Sequence, residues 1–269
     1  MAHFTFKGAV LITGASSGIG ALYADRLAKR GHNLILVARD EDRLNTLAQR
    51  LRAATGVKVD VIKADLTQRD DILKLEALLW DDAGVGALVN NAGLSVTGPL
   101  VGSDPDRQQT IIDLNITAAT RLAIAAATGF AARGSGLIIN VASVLALAPE
   151  IGNGVYSGSK AFVLNLTQAL NLELTGRGVR VQAVLPGATR TEIWERSGGS
   201  VDNIPAENLM EADDMVDAAM AGLDAGELVT IPALPDDADW RTYNDARLAL
   251  HPNLSHSKPA DRYREKVSA

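Results

Sequence analysis

Residues 9–20 read Ala9-Val10-Leu11-Ile12-Thr13-Gly14-Ala15-Ser16-Ser17-Gly18-Ile19-Gly20, a short apolar run followed by a turn rich in glycine. The apolar run predicts a buried strand, and the residues after it predict a helix through about Arg30. Glycine lets the backbone turn tightly and approach a pyrophosphate, which the amide groups and positive dipole of the following helix would bind. The spacing Gly-x-x-x-Gly-x-Gly differs from the commoner dinucleotide fingerprint, and a tight turn without a ligand is the alternative interpretation.

Short apolar runs alternate with longer helical patterns along most of the chain. The predicted strands are residues 9–12, 33–38, 57–62, 87–89, 137–141, 179–184 and, after an irregular stretch, 228–231. These runs lack polar alternation and are separated by helices, which predicts a parallel sheet buried on both faces. Right-handed crossovers then give an α/β fold with a doubly wound parallel sheet, a Rossmann-type three-layer sandwich in a single domain covering residues 1–269.

The composition disfavours several classes of partner. The formal charge is -6 in 269 residues, with no run of Lys or Arg, so neither nucleic acid nor an anionic membrane is expected to bind. The chain has no cysteine, and its four histidines, at positions 3, 32, 251 and 256, lack the spacing of metal ligands. We therefore expect no disulfide and no metal site.

The N-terminal residues indicate the expected location of the protein. They contain no basic region followed by a long apolar segment, so a soluble cytoplasmic protein is predicted. The most apolar helical stretch, residues 122–132, is interrupted by Thr128 and Gly129. It is shorter than the roughly 20 residues that a membrane-spanning helix needs.

Tyr156 and Lys160 stand four residues apart in a predicted helix, residues 155–173, so their side chains share one face. A nearby ammonium favours the phenolate, and we therefore expect Lys160 to lower the pKa of Tyr156 from its usual value of about 10. Ser143 follows the predicted strand 137–141 and should project from its carboxyl end, where open α/β sheets bind ligands. Tyr-x-x-x-Lys by itself is equally compatible with a solvated helix face.

Arg39 and Asp40 follow the second predicted strand, where dinucleotide-binding folds contact the adenosine ribose. A guanidinium at Arg39 can bind a 2′-phosphate bidentately and stack on the adenine, which favours NADP (NADPH). Asp40 is the ribose-binding acid of the alternative, NAD, if the register differs by one residue. Its other interpretation is an N-cap for the next helix, which Gly56 is expected to end.

These features together resemble the short-chain dehydrogenase/reductase family, in its branch of single-domain enzymes of about this length. The resemblance extends from about residue 7 to residue 231 and depends on several motifs in the same order. It implies a catalytic tetrad of Asn115, Ser143, Tyr156 and Lys160, in which a helix kink at Asn115 holds a water of a proton relay. The cofactor-binding positions that it implies are Gly14, Ser16, Ser17, Gly18, Ile19, Gly20, Arg39, Asp65, Leu66, Asn91, Ala92, Gly93, Tyr156, Lys160, Pro186, Gly187, Thr189 and Thr191. At Thr189 the family more usually has an apolar residue.

The resemblance implies reversible reduction of a ketone or aldehyde with NADPH. The substrate oxygen would lie between the hydroxyls of Ser143 and Tyr156 while Tyr156 donates a proton. Two alternatives remain: an NAD-dependent alcohol or steroid dehydrogenase, and a protein of the same fold that senses the nucleotide without catalysis. The small-molecule partner is therefore predicted to be a carbonyl compound or an alcohol.

The segment at about residues 190–212 is expected to form a lid over the substrate, with Trp194 as an aromatic contact; a disordered loop is the alternative. An apolar wall is predicted from Leu145, Leu147, Pro149, Ile151 and Val155, which suits a moderately hydrophobic substrate. The C-terminal extension, about residues 232–269, would begin with a capped helix and either reach a neighbouring subunit or cover the pocket. Small residues at 118, 119, 123 and 161 allow close helix approach, unless they face the sheet, and the resemblance implies that these helices pair in a homodimer or homotetramer.

Overall fold

The computed structural model describes residues 3–152 and 154–264, and its centre is a seven-stranded parallel sheet. The strands of this sheet are β1 Ala9–Thr13, β2 Leu34–Ala38, β3 Val59–Lys63, β4 Val85–Asn90, β5 Gly136–Val141, β6 Val179–Val184 and, last along the chain, β9 Val229–Thr230. Their order across the sheet is β3-β2-β1-β4-β5-β6-β9. The predicted doubly wound fold is confirmed.

The order of the strands reverses beside β1. Leu11 of β1 lies opposite Ile35 of β2 on one side and opposite Leu88 of β4 on the other. In open α/β sheets, this switch point opens a crevice beyond the carboxyl ends of the strands. The glycine-rich turn after β1 and the residues after β4 therefore meet in one place.

Helices cover both faces of the sheet. They are α1 Gly18–Lys29, α2 Glu41–Thr55, α3 Arg69–Asp81, α4 Pro105–Ile112, α5 Ala119–Arg133, α6 Gly154–Leu174 and α8 Ala212–Ala225. Val10 and Ile12 of β1 belong to a buried cluster with α1, α2 and α8, whereas Leu11 between them belongs to a second cluster with α3, α5 and α6. Successive side chains of a strand point to opposite faces, so every central strand is apolar on both sides.

The boundaries of α2 follow from its terminal residues. Asp40 is the N-cap, and its carboxylate accepts a hydrogen bond of 3.0 Å from the backbone amide of Arg43. Gly56 ends the helix in a left-handed conformation, with φ of 74°. Both features are as predicted from the sequence.

One helix is longer than its apolar centre suggested. A continuous helical segment, Pro105–Arg133, has 29 residues and a window of mean hydropathy 1.3, so it could cross a membrane by length and composition. The expectation that the apolar stretch is too short is therefore wrong. Half of that window is buried within the protein, where Leu122 and Phe130 pack against the sheet, so the helix belongs to the core.

The stretch before β9 is not irregular, contrary to the prediction. It contains a short helix, α7 Ile193–Ser197, the long helix α8, and a two-stranded parallel ladder between β7 Thr189–Arg190 and β8 Met210–Glu211. In α8 the buried residues Met215, Val216, Ala219, Met220 and Leu223 have the spacing of an amphipathic helix. That pattern was present in the sequence.

The chain divides into two compact units, Met1–Pro232 and Ala233–Ala269. The first contains the sheet, and the second contains helix α9 Asp237–Ala249. Asp236 caps α9 by accepting a 2.9 Å hydrogen bond from the amide of Ala238, so the predicted capped helix is confirmed. Residues 265–269 of the predicted C-terminal extension lie outside the described residues.

Candidate active site

The turn between β1 and α1 requires its glycines for steric reasons. Gly14 and Gly18 have φ of 66° and 52°, in the left-handed region. A Cβ atom at Gly20 would lie 2.4 Å from the carbonyl oxygen of Gly14. The turn can therefore pack this tightly only without side chains at these positions.

Two residues hold this turn against the end of β4. The Asn91 amide group donates to the carbonyl of Thr13 at 2.9 Å, and the Thr13 hydroxyl accepts from the backbone amides of Asn91 and Ala92 at 2.9 and 3.0 Å. Asn91 was a predicted site residue, but Thr13 was not. Because Thr13 directly precedes Gly14 at the end of β1, its position in the motif was the available signal.

The start of α1 has the properties of an anion site. Ser17 is the N-cap, but its side chain makes no capping hydrogen bond, and the first turn contains no acidic residue. The first amide groups of a helix have no partner within it, and they carry the positive end of the dipole. A dinucleotide diphosphate fits this position, and Ser16, Ser17, Gly18 and Ile19 surround it.

The residues predicted to contact the adenosine follow β2 and β3, which are paired through Ala38 and Lys63. Arg39 is exposed and forms no ion pair or side-chain hydrogen bond within the part of the chain that the structure describes. Asp40, by contrast, caps α2 and also pairs with Arg43 at 3.3 Å.

After β3, Asp65 accepts hydrogen bonds of 2.9 and 2.8 Å from the amide and hydroxyl of Thr67, while Leu66 is buried. The Asp65 carboxylate therefore orders the short turn that precedes α3. Both residues stand at the carboxyl edge of the sheet, beside the end of β2.

Ser143, Tyr156 and Lys160 come together between β5 and α6. Ser143 is close enough to Tyr156 to lower the pKa of its phenol, against the effect of burial. The Lys160 ammonium lies 5.7 Å from the centre of the Tyr156 ring and donates to the Val141 carbonyl at 2.9 Å. Lys160 is only 5% exposed and, among the described residues, has no carboxylate partner. Burying an ammonium without a counter-charge costs free energy. Its presence here therefore indicates a functional role.

Burial shifts the pKa values of both Tyr156 and Lys160. It raises the pKa of Tyr156 to about 12, although the nearby Ser143 acts in the opposite direction. It lowers the pKa of Lys160 to about 8. The expected lowering of the Tyr156 pKa by Lys160 is therefore wrong: loss of hydration at the phenol raises the pKa, and the ammonium is directed at the Val141 carbonyl instead.

Asn115 lies in a π-helical segment, Asp113–Ala118, that joins α4 and α5. Its side chain accepts from the amide of Leu94 at 2.8 Å and donates to the Leu94 carbonyl at 2.9 Å and the Ser159 hydroxyl at 3.1 Å. A Cβ atom at Gly93 would lie 3.3 Å from Asn115 Oδ1 and 3.5 Å from Lys160 Nζ. The absence of a side chain at Gly93 thus lets Asn115 and Lys160 approach.

Ser159 was not singled out from the sequence. Its hydroxyl donates to the Tyr156 carbonyl at 2.7 Å and accepts from Asn115, so it connects two of the predicted residues. Its position in the same helix, three residues after Tyr156 and directly before Lys160, was the only signal.

The segment after β6 returns over the nucleotide turn. Thr189 is buried, its hydroxyl donates to the Gly187 carbonyl at 3.1 Å, and the Trp194 indole donates to the Thr189 carbonyl at 2.9 Å. The side chain of Thr191 would be 3.3 Å from a Cβ atom at Gly18. Ser143 lies 3.4 Å from the Pro186 carbonyl, so this segment also adjoins the tyrosine site.

The family model of the short chain dehydrogenases matches residues 8–200. The chain belongs to the short-chain dehydrogenase family. Relatives of known structure agree with this assignment. A short-chain dehydrogenase from Sphingobium yanoikuyae, solved in complex with NADPH, is 51% identical with a TM-score of 0.93, over 96% of this chain and 100% of that one.

Two further relatives belong to the same class of enzyme. The bulky-bulky ketone specific alcohol dehydrogenase from Comamonas testosteroni is 46% identical, with a TM-score of 0.88, over 96% of this chain and 99% of that one. An uncharacterised oxidoreductase from Staphylococcus epidermidis is 35% identical over 214 residues, 79% of this chain and 91% of the relative. This short-chain dehydrogenase is therefore an oxidoreductase that depends on a nicotinamide nucleotide.

Proposed function

We propose that this short-chain dehydrogenase reduces a bulky, hydrophobic ketone or aldehyde with NADPH, and that Asn115, Ser143, Tyr156 and Lys160 form its catalytic set. The observation that carries the proposal is the buried Lys160 ammonium, 5.7 Å from the centre of the Tyr156 ring and without a carboxylate partner among the described residues, with Ser143 beside the same tyrosine. The hydroxyls of Ser143 and Tyr156 can both donate to one substrate oxygen, as the developing alkoxide requires.

When bound, the nucleotide supplies the hydride. Tyr156 holds the proton that the substrate oxygen receives, and a pKa of about 12 keeps the phenol protonated at neutral pH. Reduction therefore starts from the resting protonation state, whereas oxidation of an alcohol first needs the phenolate. Lys160, while charged, stabilises the phenolate that remains after the proton leaves.

The preference for NADPH rests on Arg39. Its guanidinium has no partner among the residues that the structure describes, while the competing Asp40 is engaged as a helix cap. A 2′-phosphate would give Arg39 a charge-assisted, bidentate partner. Support also comes from the Sphingobium yanoikuyae relative, which was solved with NADPH.

The substrate class rests on the likeness to the Comamonas testosteroni enzyme and on the residues beyond Ser143. Leu145 and Leu147 are partly exposed after β5, and Ile151 is 74% exposed. Together with Trp194 they give an apolar surface for a bulky carbonyl compound, since apolar contact is gained when both surfaces leave water.

We also propose that the protein is a homo-oligomer and acts in the cytoplasm. The small residues Ala118, Ala119 and Ala123 are buried against the core, so they do not offer a pairing surface. The exposed apolar side chains on α5 and α6 are Ile124, Phe162 and Leu172. A second copy of the chain is the partner we expect there, and light scattering of the purified protein tests it.

The test of this function is a fluorescence titration with NADPH and NADH, followed by a panel of ketones and aldehydes with NADPH. We expect Arg39→Ala to weaken NADPH binding roughly tenfold to a hundredfold, the range of a lost charge-assisted hydrogen-bond pair, and to leave NADH nearly unchanged. Arg177→Ala is the matched control, because Arg177 is exposed, unpaired and at the opposite, amino end of β6. Equal binding of NADH and NADPH by the wild type would refute the NADPH preference.

A further inference from the structure

The segment that follows β7 carries a cluster of charges around Glu192. Both carboxylate oxygens of Glu192 accept from the Arg43 guanidinium, at 2.9 and 2.8 Å, and one of them accepts from Arg196 at 2.5 Å. Arg43 belongs to the first turn of α2, whereas Glu192 and Arg196 lie in the segment after β6. The contact joins residues that are 149 positions apart in the chain.

The location of this ion pair relates it to the nucleotide site. Thr191, the neighbour of Glu192, packs over Gly18 at the start of α1. Arg43 stands four positions after Arg39 and bonds to Asp40, at the end of β2. The pair therefore connects the region over the diphosphate site to the adenosine side, across the path by which a nucleotide would leave.

The same segment has a second attachment at Ser197. Its carbonyl accepts from the amide of Thr97 at 3.2 Å, from the Thr97 hydroxyl at 3.0 Å and from Arg107 at 3.3 Å. Ser197 is 3% exposed, whereas the side chains of Arg43 and Glu192 are 48% and 44% exposed. Exposed ion pairs are weak and screened by salt, while buried carbonyls are costly to leave without donors. The segment should therefore open at Glu192 and remain attached at Ser197.

We propose that Glu192 is a positioning residue whose ion pair with Arg43 closes the segment after β6 over the bound nucleotide and slows its release. The segment opens by breaking this pair while Ser197 stays attached. The inference rests on the proposed function in that the nucleotide is taken to be NADPH. In this proposal the carboxylate of Glu192 slows the release of an anionic nucleotide. Its negative charge acting alone would repel the nucleotide and speed release.

The two interpretations predict opposite changes in the NADPH dissociation rate of Glu192→Gln. If Glu192 acted only through its charge, its neutralisation would strengthen NADPH binding and slow dissociation. If it closes the segment, dissociation becomes faster, by about threefold to fivefold, which corresponds to the loss of one well-formed exposed ion pair. Glu195→Gln is the matched control, because Glu195 lies in the same helix, is exposed and makes no ion pair among the described residues.

The measurement is stopped-flow displacement of NADPH by excess NADP, at low and high salt. We expect faster release from Glu192→Gln and an unchanged rate for Glu195→Gln. The wild-type rate should rise with salt towards that of Glu192→Gln, because salt screens the ion pair. A rate for Glu192→Gln equal to or below that of the wild type, or an equal increase in Glu195→Gln, would overturn the proposal.

Hydrogen exchange of the protein without nucleotide separates this inference from the proposed function. In Glu192→Gln, amides of residues 192–196 should exchange faster, while the amide of Thr97, which is bonded to Ser197, keeps its wild-type rate. If the wild type fails to bind NADPH but Glu192→Gln shows this exchange pattern, the proposed cofactor is wrong and the ion-pair closure stands. Unchanged exchange in residues 192–196 rejects the closure whatever nucleotide binds.

Discussion

The two sides of the nucleotide site are held together by different forces. The floor, formed by the turn after β1 and the end of β4 together with Tyr156 and Lys160 of α6, is fixed by partly buried hydrogen bonds between Thr13 and Asn91 and by close backbone packing at Gly20. The cover, formed by the segment after β6, is fixed at one end by an exposed ion pair of Glu192. A floor that must hold reacting groups in place needs rigidity, whereas a cover must release the nucleotide in each cycle.

The largest effect is expected at the floor, from removal of the proton donor. Tyr156→Phe should lower turnover roughly a thousandfold, within the range of general acid catalysis, and leave NADPH affinity nearly intact because the ring is retained. Steady-state kinetics and a fluorescence titration measure the two quantities separately.

The control for this substitution is Tyr23→Phe. It removes a buried hydroxyl near the middle of α1 that has no hydrogen-bond partner within the described part of the chain. Its turnover should equal that of the wild type. Retained turnover in Tyr156→Phe would take this tyrosine out of the mechanism.

A smaller effect is expected from distorting the turn itself. In Gly20→Ala the new methyl group would lie 2.4 Å from the Gly14 carbonyl oxygen, so the backbone has to shift. Overpacking of this kind costs about 1–3 kcal/mol of stability, and displacement of the turn should weaken NADPH binding as well. Thermal unfolding and nucleotide titration provide the measurements.

Gly158→Ala is the matched comparison, because a Cβ atom at Gly158 of α6 meets no atom within 4 Å. Alanine in a helix is more favourable than glycine by roughly 0.5–1 kcal/mol, so this variant should be slightly stabilised. If both variants behave alike, the tight packing of the floor is not what holds the turn.

The pH dependence of reduction tests the electrostatics of the floor. Burial lowers the pKa of Lys160 to about 8, so its ammonium is present below pH 8 and is lost as the pH rises above it. Tyr156, with a pKa of about 12, stays protonated throughout this range. The kcat/KM for reduction should therefore be level below about pH 7 and fall above pH 8, by at most tenfold per pH unit. A constant value up to pH 10 would contradict this role of Lys160.

The expected effects thus decrease from Tyr156→Phe through Gly20→Ala and the pH profile to the severalfold change in release from Glu192→Gln. This order follows from burial. Interactions of the floor lie away from solvent, where loss of a partner is costly, and the closing ion pair of the cover is solvated. If Glu192→Gln weakened NADPH binding more than Gly20→Ala did, the cover rather than the floor would contribute more to holding the nucleotide.

Local patterns were sufficient to predict most of the fold. Apolar runs predicted all seven strands of the central sheet, and Asp40 and Gly56 predicted the ends of α2 because capping depends on neighbouring residues only. Helix α8 was missed although its apolar spacing was readable. The pairing of β7 with β8 had no signal, since each strand has two residues and depends on a partner distant in sequence.

The sequence by itself determined the chemistry available to this protein: a glycine-rich turn, an arginine after β2, and the Ser143, Tyr156 and Lys160 set. The tertiary structure decided the state of those groups. It directs Lys160 at the Val141 carbonyl, partly buries the Tyr156 side chain so that the pKa of its phenol rises, and brings Glu192 to Arg43. Burial and contacts across 149 residues arise only when the chain is folded, so a linear pattern predicts which residues meet but not how solvent and neighbours set their charges.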